Sequence, residues 1–179
     1  MRKVIVSLTA LIAIFVFLSS TAAAPNVTLQ PSSTSVYAGQ NITVDVIVNP
    51  DTQITGMEFE IEYDGSLFQV ANVTEGNLFS QSGQSTLFYP GQAGAGTLKN
   101  VYGFILGNYN VSTPGTFATI TLASTPKVKG TSQVCLKNVT ISDSESMPVN
   151  VSLANTSITV TAQKKSKGLF QILIESFLG

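Results

Sequence analysis

The sequence predicts an all-β protein, a nine-stranded antiparallel β-sandwich, on three observations. Val, Ile, Thr, Phe and Tyr recur in short runs that alternate with polar residues. Gly, Pro, Asn, Ser and Asp separate these runs at intervals of about ten residues. Helical periodicity of useful length is absent between residues 25 and 161. Many short strands with regular turn signals are typical of two antiparallel sheets packed face to face.

The strands are placed by alternation, taken in chain order. The clearest case is NITVDVIVN, where the apolar residues Ile42, Val44 and Val46 alternate with polar ones. Ala118, Ile120 and their neighbours repeat this pattern against threonines further along the chain. The nine predicted strands span residues 26–30, 41–49, 56–63, 67–74, 84–89, 97–105, 115–123, 132–142 and 149–161, the last interrupted near Asn155.

The third of these strands carries the most informative alternation. Its apolar residues Phe59, Ile61 and Tyr63 fall on one face. The other face carries a row of carboxylates about 7 Å apart, namely Glu58, Glu60 and Glu62. Because like charges in a row are tolerated only in solvent or opposite a cationic partner, we expect this face to be exposed.

The N-terminal residues 1–23 are predicted to be a secretory signal peptide. A basic pair at residues 2–3 precedes a long apolar run, and small residues follow it. Because Pro25 disfavours cleavage directly before it, we expect cleavage after Ala22 or Ala23. An uncut N-terminal membrane anchor is the alternative. Export predicts a secreted or cell-surface protein.

The charge balance of the exported chain excludes a nucleic-acid-binding role. Without residues 2 and 3, seven Lys and Arg stand against ten Asp and Glu, a net charge of −3. Three of those seven, Lys164, Lys165 and Lys167, lie in the tail, so the stretch before them is more acidic still. The remaining chain of roughly 155 residues suits one domain with a substantial core.

Catalysis, cofactors and metals find little support in the sequence. The chain has no His, so Cys135 lacks an activating base and is interpreted as a small strand hydrophobe. A single Cys also excludes an intramolecular disulfide. Glu58 and Glu60 have the spacing of a glycosidase pair, but a flat wet strand provides neither a cleft nor desolvation. The acidic turn at residues 143–145 lacks the spacing of an EF-hand, and the glycine-rich segment 89–96 lacks a phosphate-loop lysine.

The composition changes abruptly after residue 162. Residues 163–179 read as a basic linker, QKKSK, followed by the short amphipathic segment GLFQILIESFLG. Twelve residues are too few to span a bilayer. Two interpretations stay open: an interfacial anchor making a peripheral membrane contact through residues 164–179, and a short helix or frayed end packed on the sandwich at residues 25–162.

Laid end to end, these segments resemble a cohesin domain, a secreted nine-stranded module with jelly-roll topology that binds dockerins. The resemblance covers about residues 26–161 in segment order and turn chemistry. Its most specific pieces are YDGSLFQVANVTEGNL and KNVTISD, whereas AGQNITVDVIVN and PGTFATITLAS are patterns that many sandwiches share. The chain contains no calcium-loop repeat of the dockerin type, so the resemblance implies a dockerin-like partner on another chain.

The resemblance also implies a binding face, because in cohesins the outer face of the third, fifth, sixth and eighth strands meets the dockerin. The outward positions carried over are Glu58, Glu60, Glu62, Leu87, Tyr89, Lys99, Val101, Gly103, Ile105 and Lys137. They would form an apolar patch with a charged rim. This register places Tyr102 and Phe104 in the core. A one-residue slip of the sixth strand would expose Tyr102 instead, and the Lys137–Asn138 step is interpreted as a bulge.

Seven N-glycosylation sequons provide a second indication of exposed faces, and six have Val or Ile in the middle. On a strand, a buried middle residue turns the Asn toward solvent. The alternative is that the sequons arise by chance in a chain rich in Asn, Ser and Thr. About half of the sites are expected to stay unmodified. The sequons begin at Asn26, Asn41, Asn72, Asn110, Asn138, Asn150 and Asn155. The cohesin comparison puts only Asn138 on the binding sheet, and all the others except Asn110 on or beside the opposite one.

The sequence therefore predicts an extracellular, non-catalytic recognition module that binds a dockerin-like partner in trans through one sheet face. The apolar centre should supply most of the affinity, with Glu58 and Glu60 meeting Lys or Arg of the partner. Two alternatives remain. One is a glycosylated structural or adhesive cell-envelope domain. The other is a carbohydrate-binding module, which the absence of Trp disfavours.

Overall fold

A computed structural model describes residues 25–162 of the chain. Apart from one 3₁₀ turn at Phe79–Ser82, the regular structure in this range is all strand, which confirms the all-β prediction. The strands are β1 (Asn26–Pro31), β2 (Ser35–Tyr37), β3 (Asn41–Asn49), β4 (Ile54–Glu62), β5 (Phe68–Glu75), β6 (Thr86–Tyr89), β7 (Gln92–Gly94), β8 (Thr97–Ile105), β9 (Gly115–Ser124), β10 (Gly130–Asp143), β11 (Pro148–Val149), β12 (Ser152–Ala154) and β13 (Thr156–Thr161).

The strand count in the described range is thirteen where nine were predicted. The nine predicted strands are all present, and their bounds agree to within two residues. Two short strands, β2 and β7, were not predicted. The last predicted strand is divided into β11, β12 and β13, with a break at Asn155 as expected. The difference therefore lies in short edge segments and leaves the predicted framework intact.

The strands form two sheets packed as a sandwich. One sheet has five strands in the order β12-β1-β3-β9-β5, and the other has eight, with the path β2-β13-β10-β4-β8-β6. In the larger sheet, β11 pairs with β10 and β7 pairs with β8. All strand pairings are antiparallel except β1 with β12 and β2 with β13, which are parallel. The strands predicted to form the binding face are thus contiguous, in the order β10-β4-β8-β6.

The core between the sheets is centred on the ring of Phe117 from β9. The rings of Phe59, Phe79 and Phe88 meet it edge-on, with centroid distances of 5.8, 5.5 and 5.8 Å. Each such pair adds about 0.5–1.5 kcal/mol beyond area burial. The fully buried aliphatic side chains around this cluster include Val44, Val46, Ile61, Ile120, Leu122, Ile141 and Ile158. Packing of this kind replaces the disulfides that the single, half-buried Cys135 cannot form.

The turn after β4 is held by the side chain of Asp64. Its Oδ1 accepts hydrogen bonds from the backbone N (2.8 Å) and hydroxyl (2.6 Å) of Ser66, and these bonds lower the pKa of Asp64. The neighbouring Tyr63 donates its hydroxyl to the carbonyl of Gly94 at 3.1 Å. Burial raises the pKa of Tyr63. The YDGS motif thus connects β4 to β5 and to the end of β7.

Two bulges lie beside β4, one in β8 opposite Glu60 and one in β10 opposite Phe59. Both occur in the tetrapeptide Leu-Lys-Asn-Val, at residues 98–101 of β8 and 136–139 of β10. Asn100 and Asn138 have left-handed backbones, with φ of 55° and 47°, a conformation that Asn tolerates better than most residues. At each bulge, two residues oppose one on β4. The predicted bulge at Lys137–Asn138 is confirmed, and the one at Asn100 was not foreseen.

Replacing Asn100 by Val is expected to destabilise the domain by about 1–2 kcal/mol, because a β-branched side chain is strained at positive φ. The matched variant Asn100→Gly accepts this conformation and should remain within about 0.5 kcal/mol of the wild type. Urea unfolding followed by circular dichroism measures both values. Equal stability of the Val and Gly variants would show that the strand runs straight through residue 100.

Candidate binding face

The outer face is defined here as the solvent-facing side of β10, β4, β8 and β6. Strand pairing places its residues in rows across the sheet. Tyr89 lies opposite Tyr102, Tyr102 opposite Glu58, and Glu58 opposite Thr140. The next row runs through Leu87, Phe104, Gly56 and Ser142. Directly opposed side chains on one sheet face lie about 4.5–5.5 Å apart at Cβ, close enough to act as one surface.

The predicted outward placement of Val101, Gly103 and Ile105 is wrong. Val101 is fully buried and Ile105 is 4% exposed, and Gly103 is buried as well. Tyr102 and Phe104, which were placed in the core, are 37% and 39% exposed. The one-residue slip considered as the alternative therefore describes β8 beyond residue 100.

The bulge at Asn100 is the physical reason for this inversion. Leu98 is buried and Lys99 is exposed, as the predicted register requires. The bulge then adds one exposed residue, Asn100, so the alternation resumes with Val101 pointing inward. Lys99 thus keeps its predicted side, whereas every position after Asn100 changes face.

Packing on the inner side of β8 fixes the same register. A Cβ on Gly103 would lie 3.1 Å from Cε2 of Phe117 and 3.1 Å from the carbonyl oxygen of Leu87. It would also approach the ring of Phe88 to 3.3 Å. Gly103 therefore provides the room that the aromatic core cluster needs, and its flanking aromatic residues must face solvent.

The outer face carries an apolar patch of four residues, which we call the aromatic patch: Leu87, Tyr89, Tyr102 and Phe104. Leu87 is 40% exposed and Tyr89 is half-buried. The rings of Tyr89 and Tyr102 are stacked, with a centroid distance of 5.1 Å and an interplanar angle of 29°. Contiguous exposed apolar side chains rimmed by charge mark interaction surfaces more often than scattered ones do.

A shallow groove of about 480 Å³ runs beside this patch. Its lining includes Gly56, Tyr102 and Phe104, and the hydroxyl-bearing residues Ser144 and Ser146 of the loop after β10. A Cβ on Gly56 would lie 3.3 Å from Cβ of Phe104, so a side chain there would crowd the groove. The groove and the patch together offer a partner a concave surface and apolar contacts.

The three carboxylates in the acidic row of β4 differ in their hydrogen-bond and ion-pair partners. Glu62 forms an ion pair with Nζ of Lys137 at 3.3 Å, and Oε2 of Glu60 accepts a hydrogen bond from Nδ2 of Asn138 at 2.9 Å. Among residues 25–162, no side chain pairs with the carboxylate of Glu58 in either way. The Lys137–Glu62 pair is solvent-exposed, so it adds little stability. Glu58, beside Tyr102, is the carboxylate left for a partner.

The predicted glycan acceptors lie mostly at the surface. Asn26, Asn41 and Asn72 are exposed on β1, β3 and β5 of the five-stranded sheet, and Asn150 is exposed next to β12. Asn110 is half-buried. Asn155 follows β12, but its Oδ1 accepts a hydrogen bond from the backbone N of Leu136 in β10 at 2.8 Å. Asn138 is exposed on the outer face, so the binding sheet does carry a sequon.

The described residues contain no group of three or more His, Cys, Asp or Glu side chains arranged to hold a metal ion. In the acidic turn, Oδ1 of Asp143 accepts hydrogen bonds from the backbone N of Glu145 (2.8 Å) and Met147 (2.9 Å). This carboxylate therefore closes a hairpin turn.

No helix within residues 25–162 is long and apolar enough to cross a membrane. The predicted signal peptide and C-terminal tail lie outside the described residues.

Comparison with known proteins places the fold. No curated protein sequence matches the chain. Three similar solved structures are a type I cohesin–dockerin complex from Clostridium thermocellum, a non-cellulosomal cohesin from the hyperthermophilic archaeon Archaeoglobus fulgidus, and the sixth cohesin of scaffoldin B from Acetivibrio cellulolyticus in complex with a dockerin.

These three likenesses have sequence identities of 16%, 17% and 17% and TM-scores of 0.64, 0.62 and 0.62, in the same order. They cover 81%, 80% and 78% of this chain and 99%, 95% and 100% of the matched chains. At identities this low, the structural likeness shows a shared fold and no more. The family model described as "Cohesin domain" matches residues 27–160. The chain belongs to the cohesin family.

Proposed function

We propose that this chain is a recognition module that binds a dockerin domain of another protein through its outer face. Family membership supports the type of partner, and two of the similar structures are complexes with dockerins. The observation that carries the choice of face is the aromatic patch beside Glu58, whose carboxylate has no side-chain partner among residues 25–162. The proposed contact residues are Glu58, Glu60, Glu62, Leu87, Tyr89, Lys99, Tyr102, Phe104 and Lys137.

The aromatic patch is proposed as the energetic centre of the interface. Tyr102 and Phe104 stand on β8 between the acidic row of β4 and the apolar edge strand β6. Aromatic side chains bury a large area at low entropic cost, and central residues of an interface supply most of its affinity. A partner should therefore cover this strand with aliphatic or aromatic side chains.

The charged rim is proposed to select the partner. Since Lys137 already neutralises Glu62, and Asn138 occupies one oxygen of Glu60, Glu58 is the carboxylate most available to a Lys or Arg of the partner. Rim charges act chiefly on the association rate and on specificity. Lys99 adds one exposed cation on the same face, so the rim carries both signs.

A carbohydrate-binding role has less support. Sugar platforms present the flat faces of aromatic rings to the ligand. Here the rings of Tyr89 and Tyr102 are stacked at 5.1 Å and turn their faces toward each other. Each of these two rings therefore covers one face of the other, which leaves less flat ring surface for a sugar.

The proposal includes a location outside the cell, based on the N-terminal sequence. Residues 1–23 would be removed on export, the domain at residues 25–162 would be the non-catalytic binding module, and residues 163–179 would follow as a basic linker and amphipathic segment. The module would be secreted or held at the cell surface.

A calcium-dependent pull-down tests the proposed function. The secreted full chain is immobilised and exposed to the culture supernatant of its own source, with calcium or with a chelator. We expect capture, only in calcium, of proteins whose sequences contain duplicated calcium-binding loops. Absence of any calcium-dependent capture of such a protein would overturn the proposal.

Charge reversal at Glu58 and at Glu62 tests whether Glu58 is the carboxylate that contacts the partner. Glu58→Lys is expected to weaken binding about tenfold, because a cation then faces the cationic group of the partner. Glu62→Lys is matched in charge change, but Glu62 is already paired with Lys137, so it should change the affinity less than about threefold. Titration calorimetry against the captured partner measures both. Equal losses would indicate steering by total charge in place of a local contact at Glu58.

A further inference from the structure

The sequon at Asn138 lies inside the outer face. Asn138 is exposed at the bulge of β10, with φ of 47°, and Thr140 is exposed two residues later. Thr140 lies opposite Glu58 and lines the groove. The bulge thus presents both ends of the sequon on the side of the sheet that carries the aromatic patch.

The position of the Asn138 amide relative to the patch is set by Glu60. Nδ2 of Asn138 donates to Oε2 of Glu60 at 2.9 Å, which holds the amide over the acidic row of β4. From β10, strand β8 is two strand spacings away, about 10 Å. A glycan is bulky and strongly hydrated, so one attached here would cover Glu58 and reach Tyr102.

We propose that Asn138 is an N-glycosylation site whose occupancy closes the outer face to a dockerin. This inference rests on the proposed function. The donor would be a lipid-linked oligosaccharide with a phosphate leaving group, used by a host transferase. A bond forms between Nδ2 and the anomeric carbon, the bond from that carbon to the phosphate oxygen breaks with its electron pair going to the phosphate, and Nδ2 releases one proton.

The product retains the features that orient the amide. Nδ2 keeps one N–H after the transfer, which is sufficient for a hydrogen bond to Glu60. The first sugar would then lie over the acidic row. Sequons at Asn26, Asn41 and Asn72 are on the five-stranded sheet, so glycans there leave the outer face open. Occupancy of one residue would separate binding from non-binding molecules of the same chain.

The test uses the full chain secreted by a host that transfers N-linked glycans and by one that does not. Glycopeptide mapping measures occupancy, and the probe is the dockerin domain identified by calcium-dependent capture, produced recombinantly. Chains glycosylated at Asn138 should bind at least about 100-fold more weakly than unglycosylated chains. Asn138→Gly removes the sequon and suits the left-handed backbone, so it should restore binding in the glycosylating host. The matched variant Asn72→Gln should leave the block in place.

Each remaining outcome overturns the inference in an identifiable way. Asn138 glycosylated with an affinity within about threefold of the unglycosylated chain would show that the sugar does not cover the site. If Asn138 carries no glycan in molecules that are glycosylated at Asn26 or Asn41, Asn138 is not an acceptor. A persistent block in Asn138→Gly, with normal binding by the same variant without glycans, would assign the block to another site. Failure of the unglycosylated wild type to bind would overturn the proposed function itself.

Discussion

Tyr102→Asp is expected to abolish calcium-dependent dockerin binding by a domain that remains folded. The side chain is 37% exposed and lies between Tyr89 and Glu58 in one cross-strand row. The substitution removes a central aromatic anchor and places a second carboxylate directly opposite Glu58. Loss of a central anchor costs about 2–4 kcal/mol of binding free energy, or roughly 30- to 1,000-fold in Kd. The added like-charge contact increases that loss.

The same substitution at Tyr37 is the matched control. Tyr37 is 49% exposed and lies on β2, at the end of the eight-stranded path remote from β6. Tyr37→Asp makes the same change in charge and apolar area, but at a site remote from the outer face. The affinity should therefore stay within about twofold of the wild-type value. Kd for each variant is measured by titration calorimetry, and thermal unfolding verifies the fold. Undiminished binding by folded Tyr102→Asp would show that the partner docks elsewhere.

Phe104→Asp extends this test along the strand. Phe104 lies opposite both Leu87 and Gly56, and it lines the groove that Tyr102 also borders. If the partner covers both the patch and the groove, the two variants should lose affinity to a similar degree. A loss at Tyr102 alone would confine the interface to the row that contains Glu58.

Most of the framework could be predicted from the sequence because strand alternation and turn chemistry are local. In β3, apolar residues occupy every second position from Ile42 to Val48, all of them are buried, and the predicted bounds, 41–49, are those observed. The short strands β2 and β7 carry no such signal. β2 exists because it pairs in parallel with β13, a contact between distant parts of the chain. Three-residue strands of this kind depend on tertiary pairing that local pattern does not encode.

The site was harder to predict because hydrophobicity does not determine the register of β8. In VYGFI both alternating sets are apolar or small, so either set could face the core. The deciding feature is the left-handed Asn100, and the sequence does contain a signal for it. The tetrapeptide Leu-Lys-Asn-Val occurs in β8 and in β10. The reasoning that predicts a bulge in the β10 copy predicts one in the β8 copy as well. Gly103, flanked by two aromatic residues, is a second signal, since a glycine on the inner side leaves room for core rings.

Val101→Asp is expected to unfold the domain, in contrast to Tyr102→Asp at the adjacent position. Val101 has no exposed surface and lies opposite Phe59 in the core. A carboxylate at this position either remains charged without a partner or takes up a proton, and both cost several kcal/mol. Since small domains are stable by only about 5–15 kcal/mol, a cost of this size removes much or all of the stability.

Four substitutions to Asp on one strand therefore test the register directly. Val101→Asp and Ile105→Asp should lose the cooperative unfolding transition or shift it to far lower urea concentration. Tyr102→Asp and Phe104→Asp should keep it within about 1 kcal/mol, because their side chains face solvent. The reverse pattern would place Val101 and Ile105 on the outer face and remove the aromatic patch from it. Since unfolding in urea requires no partner, this result decides the geometry of the face independently of whether a dockerin binds there.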